Sequence, residues 1–309
     1  MTSHSSSIAR PHALYRQPST LVLAGLLLLL YLPLLWHWTD GWLNKNISLE
    51  HEYFSHGVLG IPLAAYIAWE KRRDWLAIAQ RDTLKLDKSK ILGGATLLLS
   101  VIAYMSGIID IINLSFPLML MGLCLWLKGS RGLRLMAFPL VLVALATPTE
   151  LPYLIAPYAL PLQQFIAGVA GFILFQLGID VQVFHIYLYV NDRTVEVAPH
   201  CAGLKMLFTS LYVGLALLYW SNSIKHRQTI LPFFLGTITI SVSANIVRNT
   251  LLTYFHGTSQ TAAFVWLHDS WGGDLYSALM LGSLIPFLQL IDRCFIPSKL
   301  PMNSPLETG

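Results

Sequence analysis

The sequence predicts an all-α integral membrane protein of about eight transmembrane helices, with an amphipathic helix on the outer face and a small β-hairpin between spans five and six. Three observations lead there: composition, the length of the apolar runs, and the places where basic residues fall. Of 309 residues, 55% are hydrophobic and 12% charged, and the mean hydropathy is +0.58. In a soluble domain about a quarter of residues are charged. Apolar runs occur at 20–37, 56–69, 91–109, 115–127, 133–147, 160–178, 203–220, 229–253 and 275–292. Most approach the ~20 residues that carry a helix across ~30 Å of hydrocarbon. Lys and Arg cluster in the short segments between runs, which is the pattern of membrane topology. The net charge of +4 therefore points to lipid and not to nucleic acid.

The first stretch, MTSHSSSIARPHALYRQPSTLVLAGLLLLL, has a long charged lead and no small-residue cleavage site after its apolar core. Residues 1–19 read as a cytoplasmic tail and 20–37 as a retained first span. Sixteen of the twenty Lys and Arg residues lie at 10–16, 71–90, 128–134, 225–227 and 293–299. Placing all of them in the cytoplasm fixes five crossings and leaves residue 148 outside. An odd number of crossings must then precede Lys225. Between 160–178 and 203–220, the second is read as the span. LPYLIAPYALPLQQFIAGVAGF carries Pro152, Pro157, Pro161 and the Gln163-Gln164 pair, which suits a helix lying in the outer interface or re-entering. VQVFHIYLYVNDRTVEV alternates around Asn191-Asp192 and reads as a hairpin. With no internal repeat of fixed period, 20–293 is one transmembrane domain and 294–309 a cytoplasmic tail. Both termini are expected inside a plasma (inner) membrane.

Cys201 then falls on the outer side, just before the sixth span, between Pro199 and Gly203. A helix N-terminus favours thiolate and can lower a thiol pKa from ~8.5 by one or more units. Lys205, one turn on, would add to this. Cys124 and Cys294 lie in apolar surroundings, and no CxxC pair, disulfide framework, metal site or cofactor motif is visible. The next span carries TITISVSANIVRNTLL, where Thr237, Ser241, Asn245 and Arg248 form a polar stripe. An arginine at span depth costs ~2.5–3.5 kcal/mol on the lenient insertion scale, which marks it for a buried partner or a polar cavity. His268 follows in HGTSQTAAFVWLHDSWGGD, an outer loop before the last span. Each residue alone has a plainer reading: a small apolar filler, an interfacial arginine, a polar loop histidine. Together they are a nucleophile, an oxyanion-stabilising cation and a proton acceptor on one face of the membrane, the parts of a thiol acyl-transfer site.

At these residues the sequence resembles the exosortase and archaeosortase family of multi-pass cysteine transpeptidases. VAPHCAGL resembles the cysteine motif, ANIVRN the arginine motif, and HDSWGG the histidine motif. HEYFSHGVLGIPLAAYIAWEKR resembles the family's aromatic-Ser-His-Gly stretch, so the likeness runs from about residue 50 to 292. It departs at Ala202, where many members have serine. The resemblance implies that Cys201, Arg248 and His268 are catalytic and that no cofactor is needed. It also implies a partner: the C-terminal tails of exported PEP-CTERM-type proteins, with a short Pro-Glu-Pro-type motif, an apolar span and a basic cluster. Thiolate attack at that motif would release the tail, and water or another nucleophile would take the acyl group.

Other residues compete for these roles. His56 belongs to the upstream motif and reads as packing or substrate contact; His200 adjoins the thiol in sequence; Glu196, Asp269 and Asp274 could orient an imidazole or be solvated charges. A transporter lined by the polar stripe, or a non-catalytic assembly factor for an exported polymer, are the readings of other classes. Neither would need Cys201.

Overall fold

The computed structural model describes residues 18–43, 53–78, 88–197 and 203–295. Its helices are α1 (Pro18–Leu43), α2 (Gly57–Glu70), α3 (Arg72–Ala77), α4 (Lys88–Tyr104), α5 (Ile109–Ala146), α6 (Leu151–Ile155), α7 (Leu160–Gln176), α8 (Leu204–Trp220), α9 (Arg227–Gly257), α10 (Thr261–His268) and α11 (Trp271–Phe295). Three short strands, β1 (Gln182–Phe184), β2 (Tyr187–Val190) and β3 (Arg193–Glu196), lie between α7 and α8.

The polarity of the bundle is reversed relative to a soluble protein. Leu59, Phe172 and Leu279 are 74%, 61% and 67% exposed, whereas Asn113, Ser241, Asn245 and Asn249 are buried. Apolar surface outside and polar groups within are what a hydrocarbon solvent selects. Among the described residues, α5, Pro157–Gln176, α9 and α11 are long and apolar enough to cross a membrane, with α2 and α8 as shorter apolar helices. The chain is thus a multi-pass helical membrane protein, though helix lengths alone do not fix eight crossings.

The 38 residues of α5 do not form one rod. A straight helix of that length would extend ~57 Å, yet Asn113 Nδ2 donates to Pro148 O at 3.0 Å and the Glu150 N–H donates to the Asp110 carboxylate. The turn is at Gly129, whose φ of 65° and ψ of −156° suit only glycine. The two limbs match the expected spans 115–127 and 133–147, with Lys128, Arg131 and Arg134 around the turn. Lys128 Nζ donates to Ile78 O and Lys71 Nζ to Leu135 O. Basic residues therefore gather at one end of the bundle. Asp110, Asn113 and Pro148 mark the other, where His56 meets Leu145 O.

At that second end lies an antiparallel sheet of order β1-β2-β3, one strand more than the expected hairpin. Asn191 and Asp192 both have positive φ, 49° and 61°, and close the two-residue β2–β3 turn that such values favour. Leu188 is fully buried against Ile166, Ala170 and Leu174 of α7, and Val183 occupies the space over Gly171. The same α7 face packs on Val242 and Ile246 of α9. Its outward side presents Phe165, Phe172 and Phe175, so α7 is apolar there where an amphipathic interfacial helix would be polar. Gln163, which suggested an interfacial helix, turns inward to donate to Val197 O at 2.9 Å.

Candidate active site

The site is built around the C-terminal half of α9, a helix that packs against α7, α8, α10, α11, β2 and β3. Its polar stripe is buried along Thr237, Ser241, Asn245 and Asn249, steps of four that stay on one helical face. Arg248 stands beside this line, toward α11. Asn249 Nδ2 donates to Asn245 O at 2.9 Å. The last carbonyls of α9, which have no partner within the helix, are met by the hairpin: Arg193 Nη1 donates to His256 O and Asn191 Nδ2 to Gly257 O. These bonds hold β3 beside the helix end.

Cys201 lies outside the described residues, as do Pro199, His200 and Ala202. The residues on either side of that stretch are firmly held. Val197 is fully buried, its N–H donates to Ile186 O at 2.8 Å and its carbonyl accepts from Gln163. Gly203 precedes α8 with φ 80°, in the left-handed region, and a Cβ there would lie 2.6 Å from Asn245 Cγ. Glycine is required twice over, for its φ and for the approach of α8 to α9.

Arg248 is half-buried, and its Nε is buried without a hydrogen-bond acceptor. The guanidinium reaches the α10–α11 junction: a Cβ on Gly273 would lie 3.7 Å from Arg248 Nη2 and 2.8 Å from Leu267 O. Tyr276, one turn on, donates its hydroxyl to Ala244 O at 2.6 Å and fixes α11 to α9. His268 is the neighbour of Leu267 and belongs to an eight-residue helix, not the expected loop. Its ring stacks on Phe264 at 5.2 Å, and Phe264 packs against His256 at 5.1 Å. Nδ1 donates to Asp269 Oδ1 at 2.6 Å, which leaves the Nε2 lone pair free for proton transfer.

A cleft of about 170 Å³ lies on the His268 side of this corner, lined by Thr194, Val195 and Glu196 of β3, Asn249, Leu252 and His256 of α9, and Phe264 and His268 of α10; Arg248 does not line it. Arg248 and His268 approach the same helix corner, and Glu196 shares the cleft with His268. Asp274 is at the start of α11. His256 and Asn249 were not expected; the continuation of the stripe by four and then seven residues was their signal.

His56 is elsewhere. It is buried, its Nε2 lies 3.2 Å from Leu145 O and its ring 4.4 Å from that of Tyr212. It lines a separate apolar cavity of about 350 Å³ with Tyr53, Phe54, Phe208 and Leu211. Among the described residues no three His, Cys, Asp or Glu side chains are grouped to hold a metal ion.

Compared with known proteins, the chain matches the family model of the transmembrane exosortases over residues 38–285. No curated protein and no solved structure matches it. The match covers all four motifs and every element described above except most of α1 and the end of α11, and the chain belongs to the transmembrane exosortase family.

Proposed function

We propose that the protein is a cysteine peptidase or transpeptidase of the plasma membrane, which cuts the C-terminal sorting tail of exported PEP-CTERM-type proteins at the outer face. The basic end of the bundle, with both termini, faces the cytoplasm. Catalysis is assigned to Cys201, Arg248 and His268.

The observation that carries this reading is the half-buried guanidinium of Arg248, with an Nε that has no acceptor, at the corner that bears His268. An unsatisfied buried donor costs ~1–3 kcal/mol, and an oxyanion would supply the missing acceptor. Covalent geometry keeps the Cα of Cys201 within about 7 Å of that of Gly203. Gly203 rests on Asn245, one helical turn from Arg248. The thiol proton passes to His268 Nε2, and the imidazolium is steadied by Asp269. The thiolate attacks the scissile carbonyl, Arg248 donates to the oxyanion, and the C–N bond breaks as His268 returns the proton to the leaving amine. The thioester is then attacked by water or by an acceptor nucleophile that His268 deprotonates, and the thiolate is regenerated.

The test is co-expression with a tagged protein ending in a Pro-Glu-Pro motif, an apolar span and a basic cluster. Tail removal by the wild type and none by Cys201→Ala is expected. Equal removal by both would end the assignment, and a transporter or assembly factor would be indifferent to the substitution.

A further inference from the structure

We infer that the free edge of β3 is the docking strand for the substrate, which joins the sheet as a fourth, extended strand and so delivers its scissile bond to the cleft. This rests on the peptidase reading above and deepens it.

The register fixes which backbone groups are available. The Val197 N–H donates to Ile186 O, so Ile186 and Val197 form a hydrogen-bonded pair. In an antiparallel ladder such pairs alternate with non-bonded ones. Leu188↔Val195 and Val190↔Arg193 are therefore bonded pairs, while Tyr187↔Glu196 and Tyr189↔Thr194 are not. The N–H and C=O of Thr194 and Glu196 consequently point away from β2. Among the described residues no strand pairs with β3 on that side, and neither residue's backbone is hydrogen-bonded there. Edge groups left open in this way are a template for another strand.

The cleft lies along this edge. Successive strand side chains point to opposite faces, yet Thr194, Val195 and Glu196 all line it. A cavity touched by three successive residues flanks the strand and does not lie beneath one face. Its far wall holds Phe264 and His268, and β3 leads within five residues to Cys201. A peptide paired with Thr194 and Glu196 would run between the strand and the proposed proton carrier. The edge is short and charged, with Arg193 and Glu196 at its ends, so it does not pair with a second copy indiscriminately. A motif with proline at alternate positions fits: both prolines turn their missing N–H to the same side, away from β3, and the residue between them makes the ladder bonds.

The test is disulfide cross-linking in a Cys201→Ala, Cys124→Ala, Cys294→Ala background carrying Thr194→Cys. The probe is the tagged tail protein with a single cysteine stepped one residue at a time through the Pro-Glu-Pro motif and its upstream flank. Cross-links at alternate positions are expected. Cross-links at successive positions with equal yield, or at none, would overturn the docking strand. A second arm uses Thr194→Pro in the otherwise wild-type protein, which removes one edge N–H and no ladder bond. Tail removal should fall roughly tenfold with the thermal midpoint kept, and an unchanged rate would also overturn it. Failure of the peptidase reading looks different: Cys201→Ala would then process the tail as well as the wild type.

Discussion

Gly203→Ala places a single methyl group where the cysteine segment enters α8, and its cost follows from the geometry. A φ of 80° is in the left-handed region, which costs an L-residue about 1–2 kcal/mol. The new Cβ would lie 2.6 Å from Asn245 Cγ and 2.7 Å from Nδ2, about 1 Å inside ordinary contact. Asn245 is buried and cannot swing into solvent, so overpacking adds roughly 1–3 kcal/mol. The sum, about 2–5 kcal/mol, is a large part of a typical stability of ~5–15 kcal/mol. Thermal unfolding of the purified protein in detergent, followed by tryptophan fluorescence, reads the loss. A double-mutant cycle with Asn245→Ala separates its causes. Truncating the amide relieves the clash but not the φ, so a favourable coupling of about 1–3 kcal/mol should appear with a residual penalty of about 1–2 kcal/mol. A Gly203→Ala protein within about 0.5 kcal/mol of wild type, or zero coupling, would refute the placement of α8 on α9.

Gln163→Leu leaves the buried carbonyl of Val197 without its donor and should destabilise by roughly 1–3 kcal/mol in the same unfolding assay. Arg248→Lys keeps the charge but loses the planar fork, and tail removal at matched expression should fall by about 10²-fold. His268→Ala should slow turnover at least as much while leaving Cys201 open to alkylation, because the helix N-terminus still favours its thiolate. In intact cells an impermeant thiol reagent should label Phe184→Cys and not Lys85→Cys; the reverse would invert the topology.

Much of this was legible in the sequence because membrane proteins separate their signals. The basic residues at 128–134 located the α5 turn, and Asn191-Asp192 announced a turn with two positive φ values. The α7 segment was harder. Gln163 and Gln164 looked like the polar face of an interfacial helix, since nothing local reveals that Gln163 has a partner 34 residues further on. The polar stripe shows a similar limit. Steps of three and four both keep a residue near one helical face, so Arg248 and Asn249 were equally able to continue it. Only tertiary neighbours separate them, Gly273 by the arginine and β3 with α10 around the asparagine. His268 was singled out by residue type, but it was expected in a loop, so its stacking on Phe264, an aromatic four residues earlier on a helix, went unread. The opposition of Thr194 and Glu196 to His268 was not, because it depends on how β3 is tied to the end of α9.

In the proposed reaction Cys201 forms an acyl bond to the tail protein on the path to its release. Removing the base that activates the acceptor nucleophile should slow deacylation and let that species accumulate. Mass spectrometry of membranes from cells co-expressing His268→Ala protein and tagged tail substrate should detect a peptide of the substrate joined to Cys201 through a thioester, cleaved by hydroxylamine and missing in a Cys201→Ala, His268→Ala double variant. Tail release by the His268→Ala protein at the wild-type rate, or an acyl adduct on any other residue, would contradict the account.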